Sequence, residues 1–197
     1  MKIGIDIDGV LNDHGSFCIN YGTKYCHEIG KYTLTNLDSF DITSMFLWED
    51  EITHNFWNKY RSIILTEMSS KIFAEEVIKM FKNDGHQIYI ITARKNYDPW
   101  YSKELQPLVE DKTKTWLDKN DIIYDEIHFD VKNKGIFCKE NNIDFMIDDD
   151  PKNIRTLKDN TNTIIFDTPY NRQEEFKNIE RVYSWYDIYN KITNFSK

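Results

Sequence analysis

The sequence predicts an α/β protein in which a parallel sheet is flanked by helices and a small, mostly helical segment is inserted after the first strand. Three observations carry that expectation. Short apolar runs alternate with amphipathic stretches along most of the chain, as in repeated strand–helix units. The runs are apolar throughout instead of alternating with polar residues, the pattern of strands covered on both faces. Between residues 13 and 68 the alternation stops, and an aromatic-rich stretch without a strand-like run takes its place.

In chain order, Ile3, Ile5 and Ile7 make residues 2–8 a first strand that runs into acidic residues and Gly9. The inserted segment carries Phe17, Tyr21, Tyr25, Phe40, Phe46, Trp48, Phe56, Trp57 and Tyr60 and reads as helical. Ile72, Phe73, Val77, Met80 and Phe81 have helical spacing and predict a helix over 71–83, stopped by Asp84-Gly85. Strands are expected at 87–92, 126–129, 143–147 and 163–166, with helices over 102–119, 133–141 and 151–159. Trp185, Ile188, Tyr189 and Ile192 predict a last helix within 183–194, packed on the sheet. The expected division is a core of residues 1–12 and 69–197 and a helical subdomain of residues 13–68.

Composition narrows the function classes. With 197 residues, 40% hydrophobic and 15% aromatic, the chain can bury one substantial core. Its 33 acidic and 25 basic residues give a net charge of -8, so it has no general attraction to a nucleic-acid backbone, and duplex binding is not expected. Cys18, Cys26 and Cys138 are odd in number and lack metal-site spacing, which favours free thiols in a reducing compartment. There is no apolar signal core and no run approaching the ~20 apolar residues of a membrane span. The expectation is a cytoplasmic monomer or homodimer with no membrane partner, for which small anionic ligands remain open, since a single metal ion or Lys reverses the sign of a pocket.

In an open α/β sheet, ligands sit beyond the carboxyl ends of the strands. Chemically useful residues are expected there: Asp6 and Asp8 before Gly9, Thr92-Ala93-Arg94, Lys134, and Asp148-Asp149-Asp150. Two carboxylates as close as Asp6 and Asp8 repel, and a divalent cation or a phosphoryl group relieves the repulsion. Asp150 before Pro151 reads as a helix cap, which leaves Asp148 unexplained by capping. A hard cation takes carboxylates from different chain segments, as Asp6 and Asp148 would supply. Thr92 offers a hydroxyl and Lys134 a point charge for phosphate.

These four segments resemble the motifs of the haloacid dehalogenase (HAD) superfamily: Asp6-Ile-Asp8-Gly9-Val10, Ile91-Thr92-Ala93-Arg94, Lys134, and Ile147-Asp148-Asp149. Within it, they look most like the 5′(3′)-deoxyribonucleotidase group (cytosolic type C 5′-nucleotidases) and its bacterial relatives. The resemblance implies a Rossmann-like core, with residues 13–68 as a cap. It also implies a phosphatase with Asp6 as nucleophile, Asp8 as general acid/base and Mg2+ as cofactor. The ion would be held by Asp6, the Asp8 carbonyl and Asp148. Phosphate would be bound by Thr92, backbone N–H groups such as that of Ala93, and Lys134, with Asp149 orienting Lys134 or a metal-bound water. A raised Asp8 pKa would suit its two roles. Val10 stands where many phosphatases of the superfamily have Thr, which remains compatible with the nucleotidase pattern.

Phe17, Tyr21 and Trp48 are the candidates for facing the substrate, and Phe40, Phe46 and Trp57 are assigned to the cap's own core. Arg94 either touches phosphate or cap, or is solvated. Two alternatives remain at this point. The substrate could be another phosphomonoester, such as a sugar phosphate. A phosphate-responsive binding module would also cluster Asp, Thr and Lys at a sheet edge, but it would not need Asp8.

Overall fold

The computed structural model describes residues 1–99 and 102–195; Trp100, Tyr101, Ser196 and Lys197, which fall in the expected core range, lie outside the described residues. Among the described residues the sheet has six strands: β1 (Lys2–Ile5), β2 (Gln87–Ile91), β3 (Glu126–His128), β4 (Phe145–Asp148), β5 (Asn162–Phe166) and β6 (Glu180–Val182). Their order is β3-β2-β1-β4-β5-β6, and every pairing is parallel. The order changes direction beside β1, because its neighbours β2 and β4 leave on opposite sides. That is the switch point at which such sheets bind ligands.

The helices are α1 (His14–Glu28), α2 (Ile42–Phe46), α3 (Asp50–Thr66), α4 (Ala74–Asn83), α5 (Val109–Lys119), α6 (Lys134–Glu140), α7 (Pro151–Leu157) and α8 (Trp185–Phe195). Ile3, Ile5, Ile88, Ile90 and Ile147 pack with Val77, Ile78 and Phe81 of α4 and with Trp185 and Ile188 of α8 in one apolar layer. Met146, Ile165, Ile154 and Leu157 fill the layer on the other face. Burial of each large apolar side chain stabilises the fold by about 1.5–3 kcal/mol. The helices α1, α2 and α3 carry a cluster of their own, built around Phe46, Phe56 and Tyr60, and it reaches Leu105 and Val109 at the start of α5.

Three expectations need correction, one of them the helix over 102–119, which is a 3-10 turn at Gln106–Leu108 and α-helical only over Val109–Lys119. The helix predicted over 71–83 starts only at Ala74: Phe73 is left-handed (φ 66°), and Ile72 and Phe73 are exposed. Before that, the Lys71 N–H bonds to the Leu11 carbonyl at 2.7 Å, so the chain is still returning from the inserted helices. The strand β6 was not expected, since Glu180–Val182 offers one buried apolar side chain and too few residues for a period. Among the described residues, no helix is long and apolar enough to cross a membrane. The three cysteines are free and buried.

Candidate active site

The loop after β1 places the first two carboxylates. Gly9 sits at φ 88°, in the left-handed region open to glycine, and its N–H donates to Asn12 Oδ1 at 3.1 Å. A Cβ on Gly9 would overlap the carboxylate of Asp149 and crowd the Tyr170 hydroxyl. The turn therefore needs glycine twice, for its backbone conformation and for space. Asn12 closes the loop from the other side, donating from Nδ2 to Asp8 Oδ1 at 2.9 Å.

Lys134 opens α6 and is buried between two carboxylates, with Nζ 2.7 Å from Asp6 Oδ1 and 2.7 Å from Asp148 Oδ2. Asp148 is held further by the Asp150 N–H at 2.9 Å and by Asn153 Nδ2 at 3.1 and 3.2 Å. Asp150 caps α7, accepting from the Lys152 N–H. Burial pushes the Asp6 carboxyl above the ordinary carboxylate range, against the pull of Lys134, and the nearby charge of Asp148 adds to the rise. For Lys134, burial opposes the charge, but Asp148 and Asp6 together hold its pKa above the usual lysine value. Lys134 orients on Asp6 and Asp148, while Asp149 accepts from the Tyr170 hydroxyl, so of the two expected partners of Asp149, Lys134 or a metal-bound water, Lys134 is held by the other two carboxylates.

Arg94 is not solvated, and it lines the site cavity together with residues of the inserted segment. It is buried and grips Asp8 with a fork, Nε to Oδ2 at 2.8 Å and Nη2 to Oδ1 at 2.6 Å, while Nη1 reaches Thr113 Oγ1 on α5 at 3.3 Å. Thr92 Oγ1 accepts from the Arg94 N–H at 3.2 Å, which fixes the turn after β2. Burial alone would raise the Asp8 pKa, yet the Arg94 guanidinium overrides it and holds the carboxyl below the ordinary range. The raised Asp8 pKa expected from sequence is thus reversed in this state.

The site opens into a cavity of about 350 Å3. Its carboxylate end holds Asp6, Asp8, Thr92, Ala93, Lys134 and Asp149; the segment between β1 and β2 supplies His14, Phe40, Ile42, Thr43, Thr53, Trp57 and Arg61. His14 lies between two rings, 6.1 Å from Phe40 and 6.3 Å from Trp57, each at 23°. Burial lowers its pKa to about 4 against the pull of Asp8, so it is neutral at pH 7. Arg61 stacks on Trp57 at 4.3 Å.

The aromatic assignment is therefore corrected. Phe40 lines the cavity, Trp57 belongs to the buried cluster of the inserted segment as expected and also borders the cavity, and Phe46 is core as expected. Trp48 is buried against Phe46, Tyr25 and Phe56. Phe17 and Tyr21 stack on each other and line a separate cavity at the seam between α1 and the sheet, beside Phe166 and Trp185. Aromatic character marks all of these as buried without distinguishing a packed interior from a lined cavity. Sequence reasoning also missed Asn12, His14, Arg61, Asn153 and Tyr170. The close spacing of Asn12 and His14 behind Asp8 was a usable signal; the other three carry none.

A divalent cation fits the carboxylate end. Asp6, Asp148 and Asp149 are all buried, and each offers an oxygen within 4.8 Å of the others'. Asp149 Oδ1 is buried without a hydrogen-bond partner, which a hard cation or its water would satisfy. Without Lys134, Asp6 and Asp148 would face each other unneutralised. Lys134→Met is expected to cost about 3 kcal/mol of stability in EDTA, with part of it recovered in excess Mg2+. Thermal melts in the two buffers check this, and equal losses in both would contradict it.

Comparison with known proteins identifies the family and the fold. The family model described as 5′ nucleotidase, deoxy (pyrimidine), cytosolic type C protein matches residues 1–196. YqfW of Bacillus subtilis is 25% identical over 197 residues, covering 98% of this chain and 94% of the relative. A nucleotidase of Clostridium acetobutylicum is 26% identical over 193 residues, covering 96% and 92%. A HAD-superfamily hydrolase of subfamily IA from Geobacter sulfurreducens superposes with a TM-score of 0.62 at 10% identity, covering 97% of this chain and 95% of that one.

Proposed function

Because the chain belongs to the cytosolic type C deoxy (pyrimidine) 5′ nucleotidase family and has the fold of the HAD hydrolases, we propose that it is a magnesium-dependent phosphomonoesterase that dephosphorylates nucleoside monophosphates through an aspartyl-phosphate on Asp6. The observation that carries this reading is one cavity joining the Asp6–Lys134–Asp148 cluster to the aromatic wall of Phe40 and Trp57. A phosphoryl group suits the first end and a nucleobase the second.

In the first step an oxygen of Asp6 attacks phosphorus, the ester P–O bond breaks, and Asp8 gives a proton to the leaving alkoxide. In the second, Asp8 takes a proton from water as that water attacks phosphorus, freeing phosphate and restoring Asp6. The Arg94 fork favours the ionised Asp8 of the second step and fixes the direction of its carboxyl for both. Lys134 neutralises charge on Asp6 and on the phosphoryl oxygens, and the Thr92 hydroxyl and the turn N–H groups beside Ala93 donate to those oxygens. Asp6, the Asp8 carbonyl and Asp148 would hold the magnesium ion, which supplies further positive charge against the phosphoryl group.

Residues 13–68 serve in this reading as a cap that excludes water and selects the leaving group. A base stacked on Trp57 gains about 1–3 kcal/mol, so Trp57→Ala is expected to raise KM for nucleotides roughly 5- to 150-fold. Its effect on a small aryl phosphate should be minor. Equal losses on both substrates, measured as kcat and KM, would remove Trp57 from base recognition.

A further inference from the structure

The turn after β5 brings an unforeseen side chain against the carboxylate cluster. Residues Pro169–Asn171 form a short 3-10 turn, and Asn171 pins it in place. Its Nδ2 donates to the backbone carbonyls of Asp149 and of Phe166, both at 2.9 Å, and Arg181 on β6 donates to the Asn171 carbonyl at 3.0 Å. From this anchored turn the Tyr170 hydroxyl donates to Asp149 Oδ2. The Tyr170 ring meets Phe40 edge-on at 5.1 Å, which fixes it from the other side. Gly9 provides the room for this contact, since a Cβ there would overlap Asp149 and crowd the Tyr170 oxygen. The remaining Asp149 oxygen, Oδ1, is buried and without a partner.

We infer that Tyr170 is a positioning residue for the metal site: its hydroxyl holds Asp149 by one oxygen and leaves the other for the cation or a water on it. The inference rests on the magnesium reading of the site and adds to it a residue outside the four sequence motifs. Groups that orient a metal-binding carboxylate affect affinity about 10- to 100-fold. Tyr170 touches neither the reacting phosphoryl group nor its leaving group in this account, so it acts through Asp149 alone.

The test is calorimetric titration of MgCl2 into the metal-free full-length chain, with no substrate present. Tyr170→Phe keeps the ring against Phe40 and removes the hydroxyl. Its Kd for Mg2+ is expected to rise about 10- to 100-fold, while its melting temperature in EDTA stays close to that of wild type. The same change is then made in an Asp149→Asn background, where it should have no further effect on Mg2+ binding, because its route is already cut. General damage by the substitution would weaken binding in both backgrounds and would overturn the inference. Unchanged Mg2+ binding by Tyr170→Phe would overturn it while leaving the magnesium reading intact. Failure of the wild type itself to bind Mg2+ would bring down both.

Discussion

Asp6→Asn is expected to lose at least about 10^4-fold in turnover, the scale on which removal of a covalent nucleophile is felt. The fold should survive the change. Asp6 sits at the end of the central strand with its carboxyl buried, and its pKa is raised mainly by that burial. An amide of the same shape relieves this desolvation, and Lys134 keeps its second carboxylate, Asp148, at 2.7 Å. The melting temperature should therefore stay near the wild-type value while phosphate release disappears. Acid quench of the wild type during turnover, followed by borohydride reduction, should convert the residue at position 6 to homoserine. The same treatment of Asp6→Asn should leave no reduced residue. Substantial activity in Asp6→Asn would place the nucleophile elsewhere.

Arg94→Met should cost both stability and rate. The guanidinium is buried, whereas the Asp8 side chain is about a quarter exposed, so the loss should fall somewhat below the 3–5 kcal/mol typical of a half-broken buried pair, at about 2–3 kcal/mol. For a chain of this size that is roughly 4–12 °C in Tm. Without the fork, Asp8 loses its fixed orientation, and kcat should fall about 10^2-fold or more, within the range of general acid–base contributions. Arg94→Lys restores a charge without the two parallel bonds and should recover only part of either loss. In a cycle with Asp8→Asn, the two stability losses should be strongly non-additive, because they remove the same contact. Additive losses, or an Arg94→Met protein with wild-type kcat, would reduce Arg94 to a packing residue.

The strand framework was legible in the sequence because its strands are covered on both faces and so appear as uninterrupted apolar runs. Ile3 and Ile5, or Ile88 and Ile90, leave little room for another reading. The edge strand β6 was not legible, since one buried Val182 carries no period. The residues at the strand ends could be gathered because sheet topology brings the ends together. What each touches could not be read: the Arg94–Asp8 pair joins residues 86 positions apart, and no local pattern encodes it. The aromatic residues of the inserted helices show the same limit. Trp48 and Trp57 carry the same aromatic signal in the sequence, and only the packed segment shows that Trp48 is enclosed by other rings while Trp57, which also meets Phe56, borders the cavity. Tyr170 sits in a turn, where side-chain direction depends on long-range anchoring by Asn171 and Arg181.

The most direct test of the account is the initial rate of phosphate release from a panel of deoxy- and ribonucleoside monophosphates, sugar phosphates and an aryl phosphate, each assayed with Mg2+ and with EDTA. Mg2+-dependent turnover is expected, with a nucleoside monophosphate as the best substrate and none in EDTA. Inert nucleotides beside a rapidly hydrolysed sugar phosphate, or full turnover in EDTA, would contradict it.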